Sequence, residues 1–414
     1  MKRNAIFALL DQALVSATNF LIGLFFVHYA TKEDYGLYAI GFGIVSLAIS
    51  FGAALITTPM TVLAPCKNLE DQRIYCSTML TGQYVLMLPA ALLSVIASWI
   101  GFYAGLFSLD IFCFCIAVTM ATFGVLLLEF FRRYNYLRME PKRVFWIDVR
   151  FSFMMIGMLG ALELYGKDSL YLWVILSYGI AAGLSGFYAY LSAGFMRLVV
   201  WSFVRQALSG AWQHGRWALG GVMITWIQNQ SYAYFLAWLT GAASVAEANA
   251  GRLLLSPASM LGTSMMNIFM PRMVHLKADD KPEEAVRLGR RALGLLIIAT
   301  IIYAGCVFFA RDWLIHTVLT KEYSNVGPYI FAWTVVILFQ AMRANSSALL
   351  QVFREFRAIT VANALSALIV ILSTGILITL FGVIGSIAAL ALGELILAVL
   401  LWRAFARVRS KNPS

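Results

Sequence analysis

Residues 357–403 read RAITVANALSALIVILSTGILITLFGVIGSIAALALGELILAVLLWR, and between the two terminal arginines the only charge is Glu394. A membrane-spanning helix needs about 20 mostly apolar residues, so this one stretch holds two spans, 357–380 and 383–404. Working back from it, the same reading gives ten more, at 6–30, 37–64, 77–104, 110–135, 144–165, 169–192, 216–240, 243–271, 288–310 and 328–352. Composition agrees: 61% of the 414 residues are hydrophobic and 12% are charged, with a mean hydropathy of +0.80. A soluble domain carries about 25% charged residues. Too few charges remain here to coat a globule, so lipid must solvate much of the surface.

The net charge of +11 does not point to nucleic acid, because the basic residues form neither one face nor one tail. They recur between alternate spans: Lys2 and Arg3; Lys67 and Arg73; Arg132, Arg133, Arg138, Lys142 and Arg143; Arg197, Arg205 and Arg216; Arg272 to Arg291; Arg354 and Arg357; Arg403 to Lys411. The opposite loops hold only Lys32, Lys167, Arg311 and Lys321, each beside an acid. By the positive-inside rule both termini are expected in the cytoplasm. The apolar stretch 6–30 exceeds a signal-peptide core of about 7–15 residues and reads as an uncleaved first span.

A weak repeat at a shift of about 210 residues relates Arg133 and Asn135 to Arg343 and Asn345, and Gly183 to Gly393. Two six-helix bundles of parallel orientation are therefore expected, 1–196 and 216–414, joined by a cytoplasmic linker at 197–215. Pro59 and Pro271 take similar places in the halves, and Pro257 interrupts the eighth span. Such prolines permit bends.

Polar residues inside a span face other helices or water. In the eighth span Asn249, Arg252, Ser256, Ser259, Thr263 and Asn267 follow steps of three and four, which makes one stripe. In the tenth, Gln340, Arg343, Ser347 and Gln351 do the same. Small polar residues can simply bond two helices together. Arg252 lies too far from either end of its span to snorkel easily, so the stripe reads as the wall of an aqueous cavity. Asn19 in the first span and Gln228 in the seventh stand at matching positions of the repeat. Gln228, Asn229 and Gln230 are consecutive, so one must meet a neighbouring helix or the helix is broken there. The acids Asp11 and Glu394 either neutralise an arginine or carry a coupling ion. Asp148 and Arg150, near a cytoplasmic end, read as a surface pair.

Five cysteines without clustered His ligands give no metal site. There is no Gly-rich nucleotide loop and no Ser-His or Cys-His arrangement, so neither an enzyme nor a cofactor is expected.

Three stretches resemble the polysaccharide-transport branch of the multidrug/oligosaccharidyl-lipid/polysaccharide exporter (MOP) superfamily, in particular Wzx-like flippases of O-antigen type. They are Asp11-Gln12 to Asn19-Phe20 with Lys32 to Tyr38; Glu129-Phe130-Phe131-Arg132-Arg133 with Asp148; and the approach to Pro257 and Met270-Pro271-Arg272. The resemblance implies two six-helix bundles forming a V around a central cavity in the bacterial inner membrane. It implies a polyprenyl-pyrophosphate-linked oligosaccharide as cargo, moved to the outer leaflet by alternating access for O-antigen, capsule or exopolysaccharide assembly. Arg252 and Arg343 would meet phosphate, with Asn19, Gln228, Asn249, Gln340 and Ser256 beside them. Glu394 and Asp11 would serve H+ or Na+ coupling or charge pairing. Membrane lipids and other polysaccharide assembly proteins would be partners. The rival readings are a cation-coupled multidrug exporter of the same superfamily, an integral-membrane glycan polymerase or ligase, and a non-transporting scaffold.

Overall fold

The computed structural model describes residues 2–66, 68–165, 168–195, 200–319, 323, 326–353 and 355–411. Lys67, Lys167, Met196, Arg197, Lys321 and Arg354 lie outside the described residues, as do the side chains of Lys2, Arg3, Thr263, Asn267 and Pro271. Among the described residues every regular element is helical. In chain order they are α1 (Lys2–Tyr29), α2 (Lys32–Gly52), α3 (Thr58–Leu63), α4 (Leu69–Tyr103), α5 (Leu109–Leu137), α6 (Pro141–Tyr165), α7 (Leu170–Ala193), α8 (Trp201–Thr240), α9 (Ala242–Ala278), α10 (Pro282–Phe309), α11 (Arg311–Thr317), α12 (Gly327–Val352) and α13 (Phe356–Lys411). This follows from the solvent: hydrocarbon offers no partner to a backbone N–H or C=O, so each span must satisfy its own.

Each expected span falls on a helix. Nine described helices are long and apolar enough to cross a membrane. One of the nine is α13, which Gly382 divides into two arms. Its φ of 57° lies in the left-handed region that glycine enters without a Cβ clash. Adding the second arm and the long helices α8 and α9 brings the total to the twelve expected. α8 and α9 stay outside the nine because Gln228, Asn229 and Gln230 in one, and Glu247, Asn249 and Arg252 in the other, dilute their apolar runs.

Local signals set several boundaries. Asn68 and Ser108 accept the N–H groups of Asp71 and Ile111 and so cap α4 and α5. Between α2 and α3 the chain widens into a π turn, Ala53–Thr57, immediately before Pro59. Proline cannot donate to the helical ladder, and a π turn is one way to absorb the missing bond.

The chain forms two compact units, one of Met1–Phe25 with Leu37–Val222 and one of Phe26–Gly36 with Met223–Ser414. Within the first, α5 packs against α4, α6 and above all α7. That contact is close because a Cβ on Gly124 would come within 2.0 Å of the Gly179 carbonyl oxygen. Small residues let helices approach in the way membrane bundles use. Within the second unit, α12 packs against α9, α10 and α13. Its core, around Met273, Leu349, Leu350, Leu397 and Leu401, is almost wholly buried. The stretch 201–215, expected as linker, is helical and continuous with the rest of α8.

Candidate functional site

Charged groups inside the helices gather in three places. In the first unit the centre is Arg132 on α5, one turn and a half before the end of that helix. Its Nη1 donates to Glu129 Oε1 at 2.6 Å, its Nε lies 3.0 Å from Asp148 Oδ2, and its Nη2 lies 3.5 Å from Asp11 Oδ2. Tyr136, one turn further along α5, donates its hydroxyl to the same Asp11 oxygen at 2.8 Å. Asp11 and Asp148 are essentially inaccessible. Three carboxyls from α1, α5 and α6 therefore share a single guanidinium. That is two more negative charges than it can neutralise if all three are ionised. A buried ion pair repays its desolvation only with good geometry and further hydrogen bonds; Glu129 and Tyr136 supply such bonds, while Asp11 Oδ1 and both Asp148 carboxylate oxygens find none among the described residues.

This arrangement corrects two readings of the sequence. Asp148 does not pair with Arg150: two residues apart on a helix point to different sides. The Arg150 guanidinium instead lies 3.8 Å from the centre of the Tyr188 ring. Arg133, the expected counterpart of Arg343, is exposed, and its neighbour Arg132 is the arginine that turns inward. Arg132 thus stands 211 residues before Arg343, one off the shift of 210 that relates the buried Asn135 and Asn345.

In the second unit Arg343 on α12 plays the corresponding part with a different set of partners. Its Nε approaches Glu394 Oε2 on α13 to 2.6 Å, and Gln340 donates to Glu394 Oε1 at 3.3 Å. Glu394 is fully buried, while the Arg343 side chain keeps 28% of its exposure. One acid meets one cation, so this site is neutral. The tenth-span stripe is real as a row: Gln351 donates to Ser347, one turn back, at 3.1 Å. All four members are half-buried.

The third place is the N-terminal half of α9. Arg252 is exposed, although it stands ten residues, about 15 Å, from the start of its helix. Among the described residues no acid forms an ion pair with it. Its guanidinium lies 5.4 Å from the centre of the Trp333 ring, within the range of a cation–π contact. Trp333 is fixed in turn by its indole N–H, which donates to the Ala248 carbonyl at 2.8 Å. Tyr232 of α8 stands edge-on to the Trp333 ring at 5.7 Å and donates to Asn249 at 3.4 Å. Five residues before Arg252, Glu247 accepts from Lys32 at 2.8 Å and from Tyr329 at 3.1 Å. Glu247 is thus already neutralised by Lys32.

Half-buried Ser256 and exposed Ser259 continue the row along α9 while bonding back to carbonyls of their own helix. Gln228 is buried, with an amide nitrogen that finds no partner among the described residues, and α8 runs unbroken past it. Asn19 and Gln12 on α1 are exposed in the first unit. Sequence reasoning placed Arg252, Arg343, Asp11 and Glu394 but missed Glu129, Arg132 and Tyr136 as one cluster, and missed Lys32 with Glu247. The spacing of Glu129, Arg132 and Tyr136 at i, i+3 and i+7 on one face of α5 was the available signal.

No family model matches the sequence, and no protein of curated function matches it. Solved structures do. A lipid II flippase, MurJ, in an inward closed conformation superposes with a TM-score of 0.76 at 14% identity, over 98% of this chain and 87% of that one. An inward-facing multidrug resistance MATE family transporter of the MOP superfamily gives 0.72 at 12% identity, over 97% and 96%. A MOP superfamily transporter from Pyrococcus furiosus, described by the reverse polarity of its binding pocket, gives 0.68 at 12% identity, over 99% and 95%. At such identities the likeness is one of fold. This chain is a multi-pass membrane protein with the fold of MOP-superfamily transporters.

Proposed function

We propose that this MOP-fold protein is a flippase for a polyprenyl-pyrophosphate-linked oligosaccharide, working by alternating access in the bacterial inner membrane with both termini in the cytoplasm. The observation that carries the reading is Arg252, an exposed cation deep in a span with no acid partner among the described residues. A multidrug exporter that takes cationic drugs needs the opposite, an accessible carboxylate at that depth. Asp11, Glu129, Asp148, Glu247 and Glu394 each already face a cation, and the other described acids within the spans, Asp110 and Glu163, stand in the first turn of α5 and the last turn of α6, away from that depth.

A glycan cannot cross hydrocarbon alone, because each unpaired polar group costs several kcal/mol there. The row of exposed Arg252 and Ser259 with half-buried Asn249 and Ser256 offers replacement hydrogen bonds, and the planar guanidinium suits phosphate oxygens. The prenyl tail needs no polar path and stays in lipid. A membrane potential negative inside favours outward transfer: two negative charges crossing 100 mV gain roughly 4–5 kcal/mol at most. The carboxyls in excess over Arg132 are the proposed place for an exchangeable H+ or Na+, and Arg343 with Glu394 is proposed as a neutral structural pair. The fold shared with a lipid II flippase supports the class of cargo, and the fold shared with multidrug transporters keeps the rival reading in view.

Deleting the gene tests the proposal. Lipid-linked oligosaccharide should accumulate on the cytoplasmic leaflet while later assembly enzymes remain active. Normal translocation in a strain without functional homologues would overturn it.

A further inference from the structure

The first unit carries a second polar surface, which the Arg132 cluster does not use. No acid occurs anywhere between Asp168 and Glu247, so the early turns of α8 bear positive charge alone. At 100° per residue, Ser202, Arg205, Gln206, Ser209 and Gln213 fall within a sector of about 100°, and all five are exposed. The opposite side of the helix is fixed. Val204 and Ala211 are buried, Leu208 fills the space beside Gly82, and the Gly215 backbone lies so near Ala54 that a Cβ there would come within 2.6 Å of its carbonyl oxygen. With that side seated on α4 and the π turn, the polar side cannot roll inward. It forms an open groove of about 620 Å³, lined by the five polar residues with Trp201 and Gly210.

Such a stripe is unsuited to hydrocarbon, where its amides and hydroxyls would lack partners. Its chemistry is selective. Arg205 supplies a forked donor for phosphate, while two hydroxyls and two carboxamides both donate and accept, as sugar hydroxyls do. From Ser202 to Gln213 the stripe runs about 16 Å, more than a phospholipid headgroup needs and enough for a diphosphate followed by sugars. It stands at the end of α8 where the basic clusters lie, which is the cytoplasmic side under the proposed orientation.

We propose that this face of α8 is the loading surface of the flippase: the diphosphate of the cargo lipid docks at Arg205, and its first sugars lie along Gln206, Ser209 and Gln213. The inference rests on the flippase reading and gives it a first binding step, separate from Arg252.

The full-length protein in nanodiscs of zwitterionic phosphatidylcholine, with Gln206→Cys as reporter, provides the test. Labelling of that cysteine by a polar maleimide is followed by peptide mass spectrometry, so the native cysteines do not interfere. Geranylgeranyl pyrophosphate should slow the labelling severalfold, in an Arg252→Ala background as well, and geranylgeraniol should not. Adding Arg205→Ala should raise the concentration needed for half-maximal protection about tenfold, as loss of one charge-assisted contact implies, whereas Arg205→Lys should leave it nearly unchanged. Unprotected labelling in otherwise folded protein overturns the site. Equal protection by phosphatidylglycerol alone overturns it too, since the face would then be a contact for bulk anionic lipid. Failure of the flippase reading shows separately, in the leaflet distribution of the deletion strain.

Discussion

Arg132 and Arg343 occupy corresponding helices of the two halves, yet one is surrounded by three carboxyls and the other by one. Both solve the same problem, a guanidinium withdrawn from water among packed helices. The first unit overcompensates and holds surplus acid. The second balances its pair and leaves its surplus cation elsewhere, at Arg252. The Arg132 cluster, if its three carboxyls are ionised, and Arg252 thus carry excess charge of opposite sign, and the proposed roles follow from that: ion exchange in the first unit, anion binding in the second.

The largest expected effect comes from removing Arg132. Arg132→Ala leaves three carboxyls without their shared cation and should cost ~5 kcal/mol of stability, the upper end for breaking a buried ion pair. Fluorescence-monitored thermal unfolding in detergent should show the variant failing well below wild type. Arg343→Ala strands only Glu394, which keeps Gln340, and should cost ~3 kcal/mol. If the two variants lose equal stability, the surplus of acid around Arg132 has no energetic meaning and the contrast collapses. Asp148→Asn should keep the protein folded while flattening the dependence of transport on an imposed H+ or Na+ gradient, read in proteoliposomes. Glu394→Gln should leave that dependence intact, and the reverse pattern would move coupling to the second unit. Smallest in stability is Arg252→Ala, expected within ~1 kcal/mol of wild type because an exposed cation–π contact contributes no more than about that.

The fold was legible because hydrocarbon imposes a simple length rule, and twelve apolar stretches of sufficient length survive even where polar rows thin them. Polar residues are why α8 and α9 fall short in apolar content, although in α9 their steps of three and four declare a helix with one wet side. Arg252 was legible for the same reason, being too deep to reach headgroups. Arg132 was not. It stands next to Arg133, and neighbours on a helix point about 100° apart, so the sequence could not tell which of the two turned inward. The partners of Arg132 also come from α1 and α6, and only packing brings Asp11 within reach of a residue more than a hundred positions away.

The most direct test of the account is the leaflet distribution of lipid-linked oligosaccharide in cells whose only copy of the protein carries Arg252→Ala at wild-type membrane levels. The account predicts build-up on the cytoplasmic leaflet, as in the deletion strain, from a protein that is stable and correctly inserted. A wild-type distribution in those cells would contradict the anion-binding role of Arg252 and, with it, the division of charge between the two units.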